Sequence, residues 1–132
     1  GDARYLCREL IEETYIIKEL DKVDIFALGC TMYEIITGQD MPGNGFRWQQ
    51  IRNGTLNWNG TGNGNCLTHK ISVSMKQLII TMMHSNAKER PSSKKLTLFL
   101  RKFIDVGLRE KENEIENLKQ QINILMQRMN KK

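Results

Sequence analysis

The stretch Leu20-Asp21-Lys22-Val23-Asp24-Ile25-Phe26-Ala27-Leu28-Gly29-Cys30-Thr31-Met32-Tyr33-Glu34-Ile35-Ile36-Thr37-Gly38 decides the fold of this chain. Ile25, Leu28, Met32, Ile35 and Ile36 recur at three- and four-residue steps, Asp21 or Asp24 can cap the start, and Gly38 ends the run. Phe26, Ala27, Cys30 and Tyr33 fill the remaining faces, so the predicted helix is apolar nearly all round. Such a helix belongs at the centre of a domain rather than on its surface. Thr31 and Glu34 interrupt it, and its apolar part is shorter than the ~20 residues that cross a bilayer.

Before this helix, Gly1 to Glu13 shows no clean period and reads as a loop entering a short helix near Arg8; residues 11–17 are the one candidate strand. After it come seven of the ten glycines, between Gly38 and Gly64, around a predicted helix from Phe46 to Arg52 in which Trp48 and Ile51 share a face. Residues 53–65 read as a surface loop rich in Asn and Gly, and the sequons at Asn53 and Asn59 as chance occurrences. Ser74 is expected to cap a helix through Met83, with Met75, Leu78, Ile79 and Met82 on one face. A turn around Asn86 and Pro91 then precedes a helix capped by Ser92 or Ser93 that carries Leu96, Phe99, Leu100 and Phe103. Further on the period changes to seven. Leu108, Ile115, Ile122 and Met129 alternate with Ile104, Leu118 and Leu125, and Lys111 is the polar break. This is about three heptads of coiled-coil pattern, which needs either a partner helix or the flank of its own domain.

The 132 residues, 39% hydrophobic and 27% charged, suit one ordinary domain or a piece of one, and the start at Gly1 rather than Met leads us to expect a piece. Cys7, Cys30 and Cys66 are odd in number and widely spaced, which argues against a disulfide framework or a zinc site and for a reducing, intracellular compartment. The net charge of +5 is unevenly placed. Residues 1–87 carry 8 basic and 9 acidic side chains, whereas residues 88–132 carry 12 and 6. In the tail the two signs interleave, and no aromatic residue follows Phe103, so a solvated helix face is expected there and no nucleic-acid partner. No membrane partner is expected either. His69 and His84 stand alone and read as ordinary surface histidines, since a general base needs an oriented partner.

Three motifs then bear on one another: Tyr5-Leu6-Cys7-Arg8-Glu9, Asp24-Ile25-Phe26-Ala27-Leu28-Gly29 and Lys88-Glu89-Arg90-Pro91-Ser92. In this order and spacing they resemble the second half of the large lobe of eukaryotic protein kinases, with its Ala-Pro-Glu, Asp-x-Trp-x-x-Gly and Arg-Pro-Ser signatures. The finer resemblance is to the Wee-type kinases. It rests on Gly1-Asp2-Ala3-Arg4-Tyr5-Leu6, on Phe26-Ala27 in place of Trp-Ser, on Met83-His84, and on the series from Met41-Pro42-Gly43-Asn44-Gly45 through Trp48 to Ile51-Arg52-Asn53-Gly54. Cys7-Arg8 in place of Ala-Pro, and Asn86-Ala87 where Asp-Pro is common, depart from the kinase pattern.

The resemblance implies a mainly α fold: a partial kinase C-terminal lobe over residues 1–105, followed by a charged, coiled-coil-like helix over 106–132. It implies that Glu9 and Arg90 form a buried ion pair, that Asp24 anchors a catalytic loop, and that Asp2, Arg4 and Tyr5 shape a substrate pocket, with Trp48 offering a docking face. It further implies an intact enzyme that uses ATP and Mg on a protein substrate, the inhibitory tyrosine of a cyclin-dependent kinase, in the nucleus. The phosphate-binding and catalytic motifs are not in these residues and are expected in a missing N-terminal half, so the chain by itself is expected to hold no cofactor or metal and to be inactive. The other reading is a noncatalytic lobe that binds partners and dimerises through its C-terminal helix.

Overall fold

The computed structural model describes residues 1–59 and 66–131. The sequon at Asn59-Gly60-Thr61, read as a chance occurrence, and the distal part of the Asn/Gly loop reach outside the described residues. The chain divides into two compact units, Gly1–Lys94 and the segment from Lys95 onward. Among the described residues there is no strand, and the regular structure is helical: α1 (Arg8–Ile11), α2 (Leu20–Thr37), α3 (Gly45–Arg52), α4 (Val73–Met82) and α5 (Ser93–Asn130). Single turns of 3-10 helix at Ile17–Glu19 and Ala87–Glu89 lead into α2 and away from α4. The candidate strand at 11–17 is instead the end of α1, a turn and the start of the first 3-10 segment.

In the first unit α2 is the central element and packs chiefly on α4. Its buried face consists of Ile25, Phe26, Gly29, Cys30, Tyr33, Ile36 and Thr37, a stripe at helical spacing. Leu28 and Ile35 lie on the opposite side and are 44% and 62% exposed, so the helix is not covered all round as its composition suggested. Phe26, Cys30, Tyr33 and Ile36 meet Cys7, Met41, Ile51, Ile79 and Met83 in one core. Burying each large side chain there contributes about 1.5–3 kcal/mol. The start of α2 corrects an expectation. The helix begins at Leu20, the residue before it is Glu19, and neither Asp21 nor Asp24 caps it. The preceding 3-10 turn donates its own geometry to the first turn, which removes the need for a side-chain cap. At the other end Gly38 adopts φ 65° and its N–H bonds the Glu34 carbonyl, the left-handed stop that a residue with a Cβ disfavours.

Close packing explains Gly29. A Cβ placed there would lie 2.7 Å from Met83 Cγ and 3.0 Å from Met82 Cβ, neither of which is a freely moving chain end. Gly29→Ala is therefore expected to force α2 and α4 apart and to destabilise the first unit by about 1–3 kcal/mol, read as a lower urea midpoint in tryptophan fluorescence. A midpoint at or above that of the parent would contradict this packing.

The cap of α4 is Ser72, whose hydroxyl accepts from the Met75 N–H at 3.1 Å, and not Ser74, which lies inside the first turn. Trp58 meets Tyr33 edge to face at 5.3 Å, and the Tyr33 hydroxyl donates to the Asn57 carbonyl, which pins the chain after α3 to the core. From Ser93, at the end of the first unit, α5 runs 38 residues without a break, passing through the expected boundary at 105/106. The predicted helix around Leu96 to Phe103 and the heptad segment are thus one element.

Candidate functional site

Residues 1–10 approach the core as an irregular segment ending in α1, and two buried arginines hold them there. Neither arginine lies near them in sequence. Arg90 follows the 3-10 turn Ala87–Glu89, and its side chain is 1% exposed. Its guanidinium makes the two-pronged pair expected with Glu9, Nη1 to Oε1 at 2.5 Å and Nη2 to Oε2 at 3.2 Å. The remaining donors go to backbone: Nε to the His84 carbonyl at 2.8 Å and Nη1 also to the Lys22 carbonyl at 3.1 Å. Lys22 returns the contact by donating its ammonium to the Arg90 carbonyl. One guanidinium thus links the segment around Glu9, the first turn of α2 and the loop after α4, and a fork of fixed donors is what such a junction requires.

Burial pushes the Glu9 carboxyl up, yet the Arg90 bond, local backbone and Cys7 donors and the Arg90 charge outweigh it and hold Glu9 below its ordinary value. The stability contributed by a depressed carboxyl is present above the unfolded-state value, near ~4.3, and is lost as the pH falls below it and through the lowered one. Acidification from pH 6 to pH 3 is expected to lower the urea midpoint of the parent chain more steeply than that of Glu9→Gln. Parallel pH profiles would show that Glu9 is not the linked group.

Arg52, at the last position of α3, is 1% exposed and has no carboxylate partner among the described residues. It donates instead to four carbonyls: Nε to Leu6 at 2.9 Å, Nη2 to Ala3 at 3.0 Å and Arg4 at 2.9 Å, and Nη1 to Trp48 at 3.3 Å. Its guanidinium carbon stands 4.0 Å from the centre of the Trp48 ring, and the Trp48 Nε1 itself donates to the Ala3 carbonyl at 3.0 Å. Desolvation lowers the Arg52 pKa, because carbonyl dipoles replace water without supplying a full negative charge. Phe26 lies under both arginines, 4.8 Å from the Arg90 guanidinium and 5.7 Å from that of Arg52. An aromatic at this position of α2 therefore offers its face to two cations.

The other expected site residues fall into place around this frame. Asp2 and Arg4 pair with each other at 2.6 Å on the surface, and the Arg4 bonds hold the Asp2 carboxyl below its ordinary value. Tyr5 is half-buried and its hydroxyl donates to Glu34 Oε2 at 2.8 Å, while Glu34 Oε1 accepts from the Met41 N–H. The bond to Glu34 raises the Tyr5 pKa. Trp48 directs its indole N–H to the Ala3 carbonyl, and the exposed aromatic of α3 is Phe46, at 77%. Asp24 is exposed in the second turn of α2, and no side-chain partner for it is found among the described residues. Cys30 is buried and its thiol is pushed up to about 12, so it is chemically inert. The structure brings together Glu9 with Arg90, and Trp48 with the Ala3 carbonyl; it leaves Asp24 apart from both. The anchoring role of Arg52 has no counterpart among the sequence expectations, since an arginine serving only carbonyls leaves no acidic partner to find.

The sequence is similar to that of protein kinases over most of its length, although no protein-family model matches it. It is 38% identical over 121 residues to a probable protein kinase of Dictyostelium discoideum, covering 90% of this chain and 12% of that protein. It is 34% identical over 124 residues to Wee1-like protein kinase 2 of Canis lupus familiaris (94% of this chain, 19% of the relative) and 38% identical over 96 residues to the Wee1-like protein kinase of Arabidopsis thaliana (73% and 17%). The chain spans between 12 and 22% of the length of the curated relatives it matches. With a mainly helical fold and similarity running through nearly the whole sequence, these 132 residues are consistent with a fragment of a Wee-type protein kinase.

Proposed function

We propose that this chain forms the substrate side of a kinase large lobe in a protein that transfers the γ-phosphate of ATP to a protein hydroxyl, the inhibitory tyrosine of a cyclin-dependent kinase, and so restrains mitotic entry in the nucleus. The observation that carries this reading is the fixing of residues 1–10 by Arg52 and Arg90. A segment that must present a protein substrate in one geometry needs its backbone held from behind, because a displacement of about 1 Å at a reacting centre can cost ~100-fold in rate. In this reading Asp2, Arg4 and Tyr5 shape the pocket beside the target hydroxyl. Asp24, exposed on α2, receives the backbone of a catalytic loop, and Trp48 supports the docking surface through the Ala3 carbonyl it bonds.

The nucleotide belongs elsewhere in this reading. Phosphoryl transfer uses a Gly-rich loop, a strand lysine, a catalytic aspartate and metal-binding carboxylates. These motifs are not among the 132 residues, and among the described residues no three His, Cys, Asp or Glu side chains gather to hold a metal ion. No ATP or Mg step is therefore assigned to this chain's own residues, and the purified 132 residues are expected to show no phosphotransfer. The protein that carries this sequence, isolated from its source and incubated with ATP, Mg and a cyclin-dependent kinase, is expected to add phosphate to tyrosine. Phosphate only on serine or threonine, or none, would overturn the substrate assignment; phosphotransfer by the 132 residues alone would overturn the division of labour.

A further inference from the structure

α5 carries an apolar stripe with nothing in the kinase reading to occupy it. From Ile104 to Met129 the helix is continuous, and Ile104, Leu108, Ile115, Leu118, Ile122, Leu125 and Met129 are each more than half exposed. We infer that this stripe pairs with the same stripe of a second copy of the chain in a parallel, two-stranded coiled coil.

Three features of the helix select that occupant. With Leu108, Ile115, Ile122 and Met129 at the first core position of each heptad and Ile104, Lys111, Leu118 and Leu125 at the fourth, the two heptads from Ile115 to Leu125 put Ile first and Leu fourth. β-branched side chains at the first position with Leu at the fourth favour two parallel strands over three or four. The flanking charges agree with it. In the parallel register Glu114 of one helix lies beside Lys119 of the other, and symmetry makes this attraction twice, while Gln121 meets Met126 and no like-charged flanking pair is formed. The one polar layer is Lys111, which already bonds Glu114 of its own helix at 3.2 Å. It can keep its ammonium at the edge of the seam and its methylenes inside, and a single polar layer of this kind fixes register at some cost in stability. An antiparallel pair that kept the apolar core aligned would gain an equal attraction, Lys119 against Glu112 twice, but would set Lys111 against Ile122 in two layers, so the polar break would interrupt two apolar layers instead of one.

Sedimentation equilibrium of the full chain tests this. The expected species is a concentration-dependent dimer of twice the 15.4 kDa chain. Leu118→Glu with Leu125→Glu is expected to weaken it about 100-fold or more, and since both positions are exposed in the single chain, unchanged tryptophan fluorescence verifies that the first unit stays folded. For orientation, Glu114→Lys and Lys119→Glu are each expected to weaken self-association, and an equimolar mixture of the two to recover it as a heterodimer. A chain that stays monomeric at the highest concentration, or that forms trimers, would overturn the pairing. Weakening by Lys119→Glu alone, with no recovery on mixing, would overturn the parallel orientation.

Discussion

Arg90→Met is expected to destabilise the first unit by about 3 kcal/mol, because it leaves the largely desolvated Glu9 carboxylate without its counter-charge. It also orphans the His84 and Lys22 carbonyls and removes the cation from the Phe26 face. The measurement is the urea midpoint of Trp48 and Trp58 fluorescence, both reporters lying within the first unit. Glu9→Gln is expected to cost less, since a neutral amide still accepts one bond, and the Glu9→Gln/Arg90→Met pair is expected to cost less than the two single changes added together. Additive costs would mean that Arg90 acts only through its backbone contacts.

A second large effect is expected at Arg52. Arg52→Met removes the donors of four carbonyls at once, three of them in residues 3–6, so the loss should be about 3 kcal/mol or more and should be concentrated at the start of the chain. Amide hydrogen exchange resolves the location: residues 3–10 should lose protection ahead of α2 and α4. Arg52→Lys is not expected to rescue, because a single ammonium cannot reach Leu6, Ala3 and Arg4 together or stack flat on Trp48. Rescue by lysine would show that charge alone, and not the planar fork, holds the segment.

The two arginines show how unequal sequence signals can be. The Glu9–Arg90 pair is legible because each partner sits in a motif and the two carry opposite charge, so the resemblance names both ends of one bond. Arg52 stands in an equally specific motif, Ile51-Arg52-Asn53-Gly54, but its partners are main-chain oxygens, which have no side-chain identity to read. Trp48 is legible as a helix-face aromatic, and only the position of the Ala3 carbonyl gives its indole N–H a partner. The start of α2 eludes the sequence for a related reason. Two aspartates make plausible caps, whereas the actual lead-in, a 3-10 turn from Ile17 to Glu19, needs no capping side chain and leaves no signature.

Local order along the chain is enough to give the central helix and its glycine stop, α3 and α4 to within a residue or two at each end, the heptad period, and the three motifs whose spacing names a kinase lobe. These depend on periodicity and on near neighbours, which the linear order preserves. Which side of α2 is buried, which serine caps α4, why Gly29 tolerates no side chain and where the donors of Arg52 end are settled only when segments distant along the chain meet. Burial and hydrogen-bond satisfaction are properties of that meeting: a guanidinium is buried only because the Ala3, Arg4 and Leu6 carbonyls arrive to replace its water.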